Sequence, residues 1–350
     1  MMSLALFIQK IRYSMNMDKP YYVYRLASNL VKRRYLGKFP LRGVDFAIDF
    51  SCNFNCEHCF NKTMLNGERK MDLNDYARVI KEAIDLGAIN FAFQGGEIFA
   101  ISNFEDILRL VDSKRFSLAI TTNGYLLDEK RVAKLKRLRV NTVAVSLDSG
   151  LAEEHDAFRG HKDAFARATK GIELLIVAKI KVVINSCVTP SSLRSEGFLR
   201  LLDYARDNKV LLNTIFATPS GKWVNNDKIV LSDEDIEYYK RLVHNNRFVV
   251  RDLDAGYAVR GCQGGVESIY VTPYGDVLPC PYIHIRAGNI FNEDLKTIRE
   301  RSMKYFFYQK RCLIAENHDF IKQYIDVTRS NRQLPLPEAS LNEINAWQDN

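Results

Sequence analysis

From residue 43 onward, short apolar runs alternate with stretches whose apolar residues recur every three or four positions. The short runs read as strands and the longer stretches as amphipathic helices. Strands are predicted at residues 44–50, 89–94, 116–121, 142–147, 181–188 and 210–217. Helices are predicted at 73–86, 104–111, 129–138, 164–177, 193–207 and 233–244, with Asp72 as the N-cap of the first. Regular strand–helix alternation predicts an α/β fold built on a parallel sheet. Six such units predict a partial (β/α)6 TIM-like barrel, whose chemistry would lie at the C-terminal ends of its strands.

Past residue 255 the rhythm changes. Ile269-Tyr270-Val271 and Val277-Leu278 flank Tyr274-Gly275-Asp276, the pattern of a β-hairpin, and a helix is predicted at 295–303. The expected organisation is a helical arm at 1–42, the barrel at 43–250, a small C-terminal β-hairpin/helix module at 255–325, and a tail at 326–350 that is weakly structured or wrapped over the surface.

An apolar fraction of 47% and a charged fraction of 26% fit a globular chain rather than a disordered one. No apolar run approaches the ~20 residues that a membrane-spanning helix needs. Charge is unevenly placed. Nine of the 50 Lys and Arg residues, but only one of the 42 Asp and Glu, lie in residues 1–42, so the arm carries the whole net charge of +8. It also contains Tyr21, Tyr22 and Tyr24, preceded by Leu4-Ala5-Leu6-Phe7-Ile8 and Ile11. Such a segment suits an anionic substrate, an acidic peptide or an anionic membrane surface. A solvated basic helix face is the plainer alternative. No nucleic-acid-binding module accompanies the basic segment, which argues against nucleic acid as a partner.

The seven cysteines are Cys52, Cys56, Cys59, Cys187, Cys262, Cys280 and Cys312. An odd count with a tight triplet and no cleavable signal sequence argues against a disulfide scaffold. Reduced thiols point to a cytoplasmic protein, peripheral to a membrane if the arm binds one. Cys52-Asn53-Phe54-Asn55-Cys56-Glu57-His58-Cys59 places three thiolates just after the first predicted strand. Three thiolates can hold three irons of a [4Fe–4S] cube and leave the fourth open to a small molecule. A closed zinc site would need a fourth ligand, which His58, held between two cysteines, is poorly placed to give.

The triplet and the motifs at the following strand ends resemble the radical S-adenosylmethionine (SAM) superfamily. Gln94-Gly95-Gly96-Glu97 is similar to its Gly-Gly-Glu motif, and Thr121-Thr122-Asn123-Gly124 to its Thr-Asn-Gly. Val145-Ser146-Leu147-Asp148 and His155-Asp156-Ala157-Phe158-Arg159-Gly160 resemble its Ser-hydrophobic-Asp and His-Asp…Arg-Gly stretches. The resemblance implies that Cys52, Cys56 and Cys59 hold the cluster and that the open iron takes the amino and carboxylate groups of SAM. One electron then releases a 5′-deoxyadenosyl radical that abstracts hydrogen from a substrate. It implies a set of SAM contacts too. Gly95 and Gly96 would allow close backbone approach, and Glu97 would meet the amino group. Thr122 and Asn123 would stand at the third strand end, with Ser146 and Asp148 toward the ribose or carboxylate. Arg159 would pair with the carboxylate, Asn185 would reach the ribose, and His58 would supply a planar group near adenine. A reducing partner such as flavodoxin or ferredoxin follows. Phe60 is expected in the core, and Cys187 as a buried thiol without a role. His155 would either orient backbone or touch substrate.

The hairpin with Cys262, Cys280 and the later Cys312 looks like the SPASM/twitch extension of the same enzymes, implying one auxiliary [4Fe–4S] cluster. Its fourth ligand would be Glu316, His318 or Asp319, unless the last iron faces the substrate. A Cys3His zinc site of Cys262, Cys280, Cys312 and His318 is a rival. Enzymes with this extension mature peptides or oxidise sugars and other small molecules. A peptide or protein is therefore the first expected substrate class, and a sugar, nucleotide-sugar or lipid-linked small molecule the second. A non-catalytic iron–sulfur or zinc protein is the alternative of another class. Asp254 and Asp276 are candidate general bases.

Overall fold

A computed structural model describes residues 16, 18–64, 67, 69–251, 262–306, 311–329 and 334–345. Helix α1 (Pro20–Tyr35) precedes the series β1 (Gly43–Ala47), α2 (Leu73–Leu86), β2 (Asn90–Gln94), α3 (Phe104–Arg109), β3 (Ser117–Thr122), α4 (Glu129–Arg137) and β4 (Thr142–Ser146). It continues with α5 (Ala152–Arg159), α6 (Ala164–Val177), β5 (Lys181–Val188), α7 (Glu196–Asp207), β6 (Leu211–Phe216), α8 (Asp233–Asn245) and β7 (Val249–Arg251). Then come β8 (Ser268–Val271), β9 (Asp276–Leu278), β10 (Gly288–Asn289), α9 (Leu295–Phe306), α10 (Leu313–Glu316) and α11 (His318–Arg329).

Local chemistry explains the element starts. Asp72 accepts from the Asn74 and Asp75 amides while Asp75 returns a bond to the Asp72 amide, a closed capping box at α2. Ser195 accepts from the Phe198 amide and starts α7 later than the periodicity predicts. Helix α5 escapes a hydrophobic-period reading because its buried residues are His155 and Arg159. Strand β7 is too short for its pattern to stand out.

The ten strands of the described residues form one sheet, in the order β10-β9-β8-β1-β2-β3-β4-β5-β6-β7. From β1 to β7 every neighbouring pair is parallel. The six expected strand–helix units are present, and the fold is the α/β, partial-barrel type. The C-terminal hairpin joins the same sheet. Strand β8 pairs in parallel with β1, opposite Gly43 to Phe46, and so extends the first edge of the barrel.

Alternation along the strands separates two environments. Val44, Phe46, Phe91, Phe93, Leu118 and Ile120 are buried in the core. Asp45, Ala92, Ala119, Ala144 and Val183 occupy the intervening positions and line a cavity inside the barrel. Three of these are alanines, so the interior is left hollow where larger side chains would fill it. The tail is less loose than expected. Leu336, Leu341 and Ile344 are buried with Phe320 and Tyr324 in a second core, and Leu336 forms a bridge with Ile285.

Helix α1 is docked on the barrel: Lys19 Nζ donates to Phe116 O and Asn141 Oδ1, both at 2.7 Å, and Asn29 donates to Gly87 O at 2.8 Å. The expectations for Leu4-Ala5-Leu6-Phe7-Ile8, Ile11 and Asp254 lie outside the described residues. Among the described residues, no helix is long and apolar enough to cross a membrane.

Candidate active site

Cys52, Cys56 and Cys59 lie in the loop that leaves β1, each partly exposed and free of disulfide. The loop rests on the end of β2. The Gly96 amide donates to Asp49 O at 2.7 Å and the Glu97 amide to Ser51 O at 2.9 Å. A Cβ on Gly95 would stand 2.3 Å from Asp49 O, and one on Gly96 only 1.9 Å from Ser51 O. The two glycines therefore admit the cysteine loop, where the sequence suggested they admit the cofactor. Gly96→Ala should push Ser51 and the adjoining Cys52 out of place. Overpacking of this kind costs about 1–3 kcal/mol. Denaturant melts should register that loss, and iron bound after reconstitution should fall with it.

Glu97 is also placed differently from expectation. It is fully buried, and its carboxylate accepts from Thr122 Oγ1 at 2.7 Å, the Asn123 amide at 2.8 Å and the Phe99 amide at 3.1 Å. Burial raises its pKa despite these donors. The carboxylate ties the β2 end to the β3 end and does not line the cavity. Through it Asn123 is aimed at the cysteine loop, where Nδ2 donates to Asn53 Oδ1 at 2.8 Å and approaches Cys52 Sγ at 3.9 Å. The Phe54 amide also points at Cys52 Sγ, at 3.4 Å. Burial pushes the Cys52 thiol up to about 11, and Glu97, Cys56 and Cys59 add to the effect. A metal centre that binds here must displace the proton.

At the β4 end, Asp148 accepts from Arg159 Nε at 2.6 Å and from the Cys187 amide at 2.9 Å. Burial alone would raise the Asp148 carboxyl, but the Arg159 guanidinium, His155 and His58 together outweigh it and hold the group well below the usual carboxylate range. The Arg159 charge also favours the Cys56 thiolate against its burial. Arg159 thus joins the cluster loop to β4 as well as facing the cavity. His155 is buried, and its Nδ1 accepts the Asp148 amide at 3.1 Å. Its ring orients backbone; it does not line the cavity. Cys187 departs from expectation, because its side chain lines the cavity.

The cavity, about 470 Å³, is lined by His58, Gln94, Ser146, Arg159, Asn185 and Trp223 among others. His58 stacks on Phe158 with ring centroids 4.4 Å apart, and Trp223 leans on it at 5.8 Å. Burial, with Arg159 nearby, lowers the His58 pKa to about 3, so the ring is neutral at physiological pH. Asn185 accepts from Asn213 Nδ2 at 3.0 Å, which puts a second amide beside it. Phe60 also lines the cavity, edge-on to Tyr282 at 5.3 Å. Sequence reasoning missed Asn213, Phe158 and Trp223, and also Asn61, which donates to Gly95 O at 2.9 Å and accepts from Tyr270. The loop at Gly221 presses on the cysteine loop: a Cβ there would lie 2.2 Å from Cys59 O. A Pro-Ser-Gly turn just ahead of a tryptophan was the available signal.

Cys262, Cys280 and Cys312 line a second cavity of about 260 Å³. Burial, then Cys262 and Cys280, raises the Cys312 thiol far above its ordinary value. The residues expected to complete this triplet are elsewhere engaged. Glu316 accepts from Arg251 at 2.7 Å and from the Cys312 amide at 2.9 Å, while His318 and Asp319 are exposed. Asp276 is no base in this arrangement, since Arg286 and Asn289 both donate to its Oδ1 at 3.0 Å. Among the described residues, no three His, Cys, Asp or Glu side chains are gathered to hold a single metal ion. A cube suits the triplets better, because it spreads its thiolates over separate irons and takes N–H donors at its sulfurs, as Cys52 has here.

A hollow barrel with one cysteine triplet at its mouth and another in its seam has the architecture of an iron–sulfur enzyme. Residues 50–205 match the radical SAM superfamily, and residues 262–318 match SPASM, an iron–sulfur cluster-binding domain. The chain thus carries a radical SAM domain followed by a SPASM domain, and it is an enzyme with SAM and iron–sulfur clusters as cofactors. It is 26% identical over 292 residues to an AdoMet-dependent heme synthase of Methanosarcina barkeri, covering 75% of this chain and 82% of that one. It is 26% identical over 288 residues to AlbA, the antilisterial bacteriocin subtilosin biosynthesis protein of Bacillus subtilis, covering 78% of this chain and 62% of AlbA. In fold it is similar to Streptococcus suis SuiB bound to the precursor peptide SuiA, with a TM-score of 0.59 at 18% identity over 80% of this chain and 70% of that one.

Proposed function

We propose that this radical SAM enzyme modifies a peptide or protein, with the substrate held between two clusters. One observation carries the proposal: the two cavities share a wall. Asp45, Phe216, Thr218, Arg251, Pro281 and Tyr282 line both. The second cavity lies at the open seam of the barrel, between Ser268 and Ile269 of β8 and Arg251 of β7. A group in the barrel interior would thus lie between His58 and Arg159, neighbours of the first triplet, and the cavity of the second.

Cys52, Cys56 and Cys59 would hold the SAM-binding cluster, which when bound supplies the electron that splits SAM into methionine and the hydrogen-abstracting 5′-deoxyadenosyl radical. Asn123 and Arg159 would donate to the sulfurs and set the potential. His58 on Phe158 offers a flat apolar face to adenine, and Ser146, Asn185 and Asn213 offer hydroxyl and amide groups to the ribose. Cys262, Cys280 and Cys312 would hold the auxiliary cluster, while Glu316 is committed to Arg251. That cluster would take the electron left on the substrate. A flavodoxin or ferredoxin would reduce the first.

The substrate preference rests on two supports. A cavity in the range for one small ligand, roughly 300–1,000 Å³, has room for SAM and the tip of a substrate, and a single side chain of a peptide meets that limit. Relatives named for peptide work, AlbA and SuiB with SuiA, favour it as well. A small-molecule substrate is the second reading, favoured by the heme synthase and by relatives named GTP 3′,8-cyclase. The test is anaerobic turnover with dithionite and SAM, against peptides from neighbouring small reading frames and against nucleotide sugars. Mass change in a peptide supports the proposal; turnover of the small molecules alone overturns it. Cys280→Ala should keep 5′-deoxyadenosine release near the parent rate while product falls to background, as read by chromatography.

A further inference from the structure

Four of the large apolar side chains that the described residues leave exposed fall within one short span. They are Tyr24 at 68%, Val31 at 50%, Tyr35 at 76% and Leu36 at 60% relative exposure. Tyr24, Val31 and Tyr35 are spaced by seven and eleven residues, which at about 100° per residue sets them within roughly 40° of one another around α1. The same arithmetic places Lys32 and Arg34 about 80° to either side of Val31's stripe. The opposite face is the docked one, with Tyr22, Leu26 and Asn29 buried. Arg33 is turned away over the Phe39 ring, at 3.9 Å, while Lys38 is exposed just beyond the helix. No Asp or Glu occurs from Lys19 to Arg42.

From this we infer that α1 is a membrane-surface anchor that seats the enzyme on an anionic bilayer. The apolar stripe is convex, a bare helix side and not a groove, so it suits a deformable planar partner better than a second folded surface. Tyrosines with cations on both flanks are the residues that rest at the headgroup level, ring inward and charge outward. The charge is one-sided as well, since the arm holds the net +8 of the chain and the remainder is balanced. In sequence, the residues ahead of α1 add Leu4, Phe7, Ile8 and Ile11 with Lys10 and Arg12. The active site does not depend on this face, so the inference stands or falls apart from the peptide proposal.

Vesicle cosedimentation with the full chain tests it. The protein should pellet with phosphatidylcholine vesicles containing about a third phosphatidylglycerol, not with pure phosphatidylcholine, and high salt should release it. Lys32→Gln, Arg34→Gln and Lys38→Gln together should lower the partition coefficient about 100-fold. Tyr24→Ser, Val31→Ser and Tyr35→Ser together should lower it at least about tenfold with the cations intact. Apart from the half-buried Lys32 the altered positions are exposed, and circular dichroism should show both triple variants folded. Failure of the parent to bind anionic vesicles overturns the anchor. So does vesicle binding unchanged in the serine variant, or an acidic amphipathic peptide displacing the vesicles from the patch.

Discussion

Alanine at Cys56 should reduce SAM cleavage to background and remove about four irons from the reconstituted chain. Cys56 is the middle cysteine of the loop, and its thiol is the one that the Arg159 guanidinium, at the end of α5, lies beside. Without it the remaining cysteines, Cys52 and Cys59, could hold only two corners of a cube, too few to keep the cluster and its open iron. The neighbouring fold should survive, because the loop is held by the Asp49 and Ser51 carbonyls and by Asn61, none of which the substitution touches. Cys187→Ala is the matched control. Cys187 lines the barrel cavity, yet it hangs from β5 and belongs to no triplet. That variant should keep its cluster absorbance and its 5′-deoxyadenosine. Parent-level cleavage by Cys56→Ala, read by chromatography alongside iron analysis, would sink the assignment of the first cluster.

The contrast between the two cysteines shows what the sequence could and could not reveal. The triplet is local: its chemistry is written in eight consecutive residues. The same holds for Asp72 and its helix, where both halves of the capping box lie three residues apart. The strand–helix rhythm was legible because each strand buries one face on the helices, leaving period-two patterns such as Val44 and Phe46. That Cys187 faces the cavity was hidden for the complementary reason. Its strand is apolar on the helix side, and a hollow interior cannot be inferred until three alanines on neighbouring strands are known to face each other. Glu97 was legible as a site residue but not in its role, since its partners Thr122 and Asn123 arrive from the next strand. The pairing of β8 with β1, which brings Cys262, Cys280 and Cys312 to the barrel seam, joins segments more than 220 residues apart. No local pattern encodes that contact.

Asp148→Ala should destabilise the fold by about 3–5 kcal/mol, the usual cost of leaving a buried charge without its partner. Asp148 and Arg159 are both buried, 2.6 Å apart through Nε, and the same carboxylate accepts the Cys187 amide of β5. Alanine would strand a guanidinium inside the barrel and break the link from β4 to β5. Asp148→Asn keeps the acceptor geometry but loses the charge, and should cost less, about 1–3 kcal/mol. Replacing the pair together, Asp148→Ala with Arg159→Met, should recover part of the loss, because no uncompensated charge remains. The pH dependence has a definite sign. The folded-state pKa of Asp148 is depressed, so its contribution is complete above the unfolded value near 4 and is lost only as pH falls below it. The stability gap between parent and Asp148→Ala should therefore stay level through neutral pH and narrow in acid. A gap that instead narrowed toward alkaline pH would mean that the aspartate is not the charged partner of Arg159.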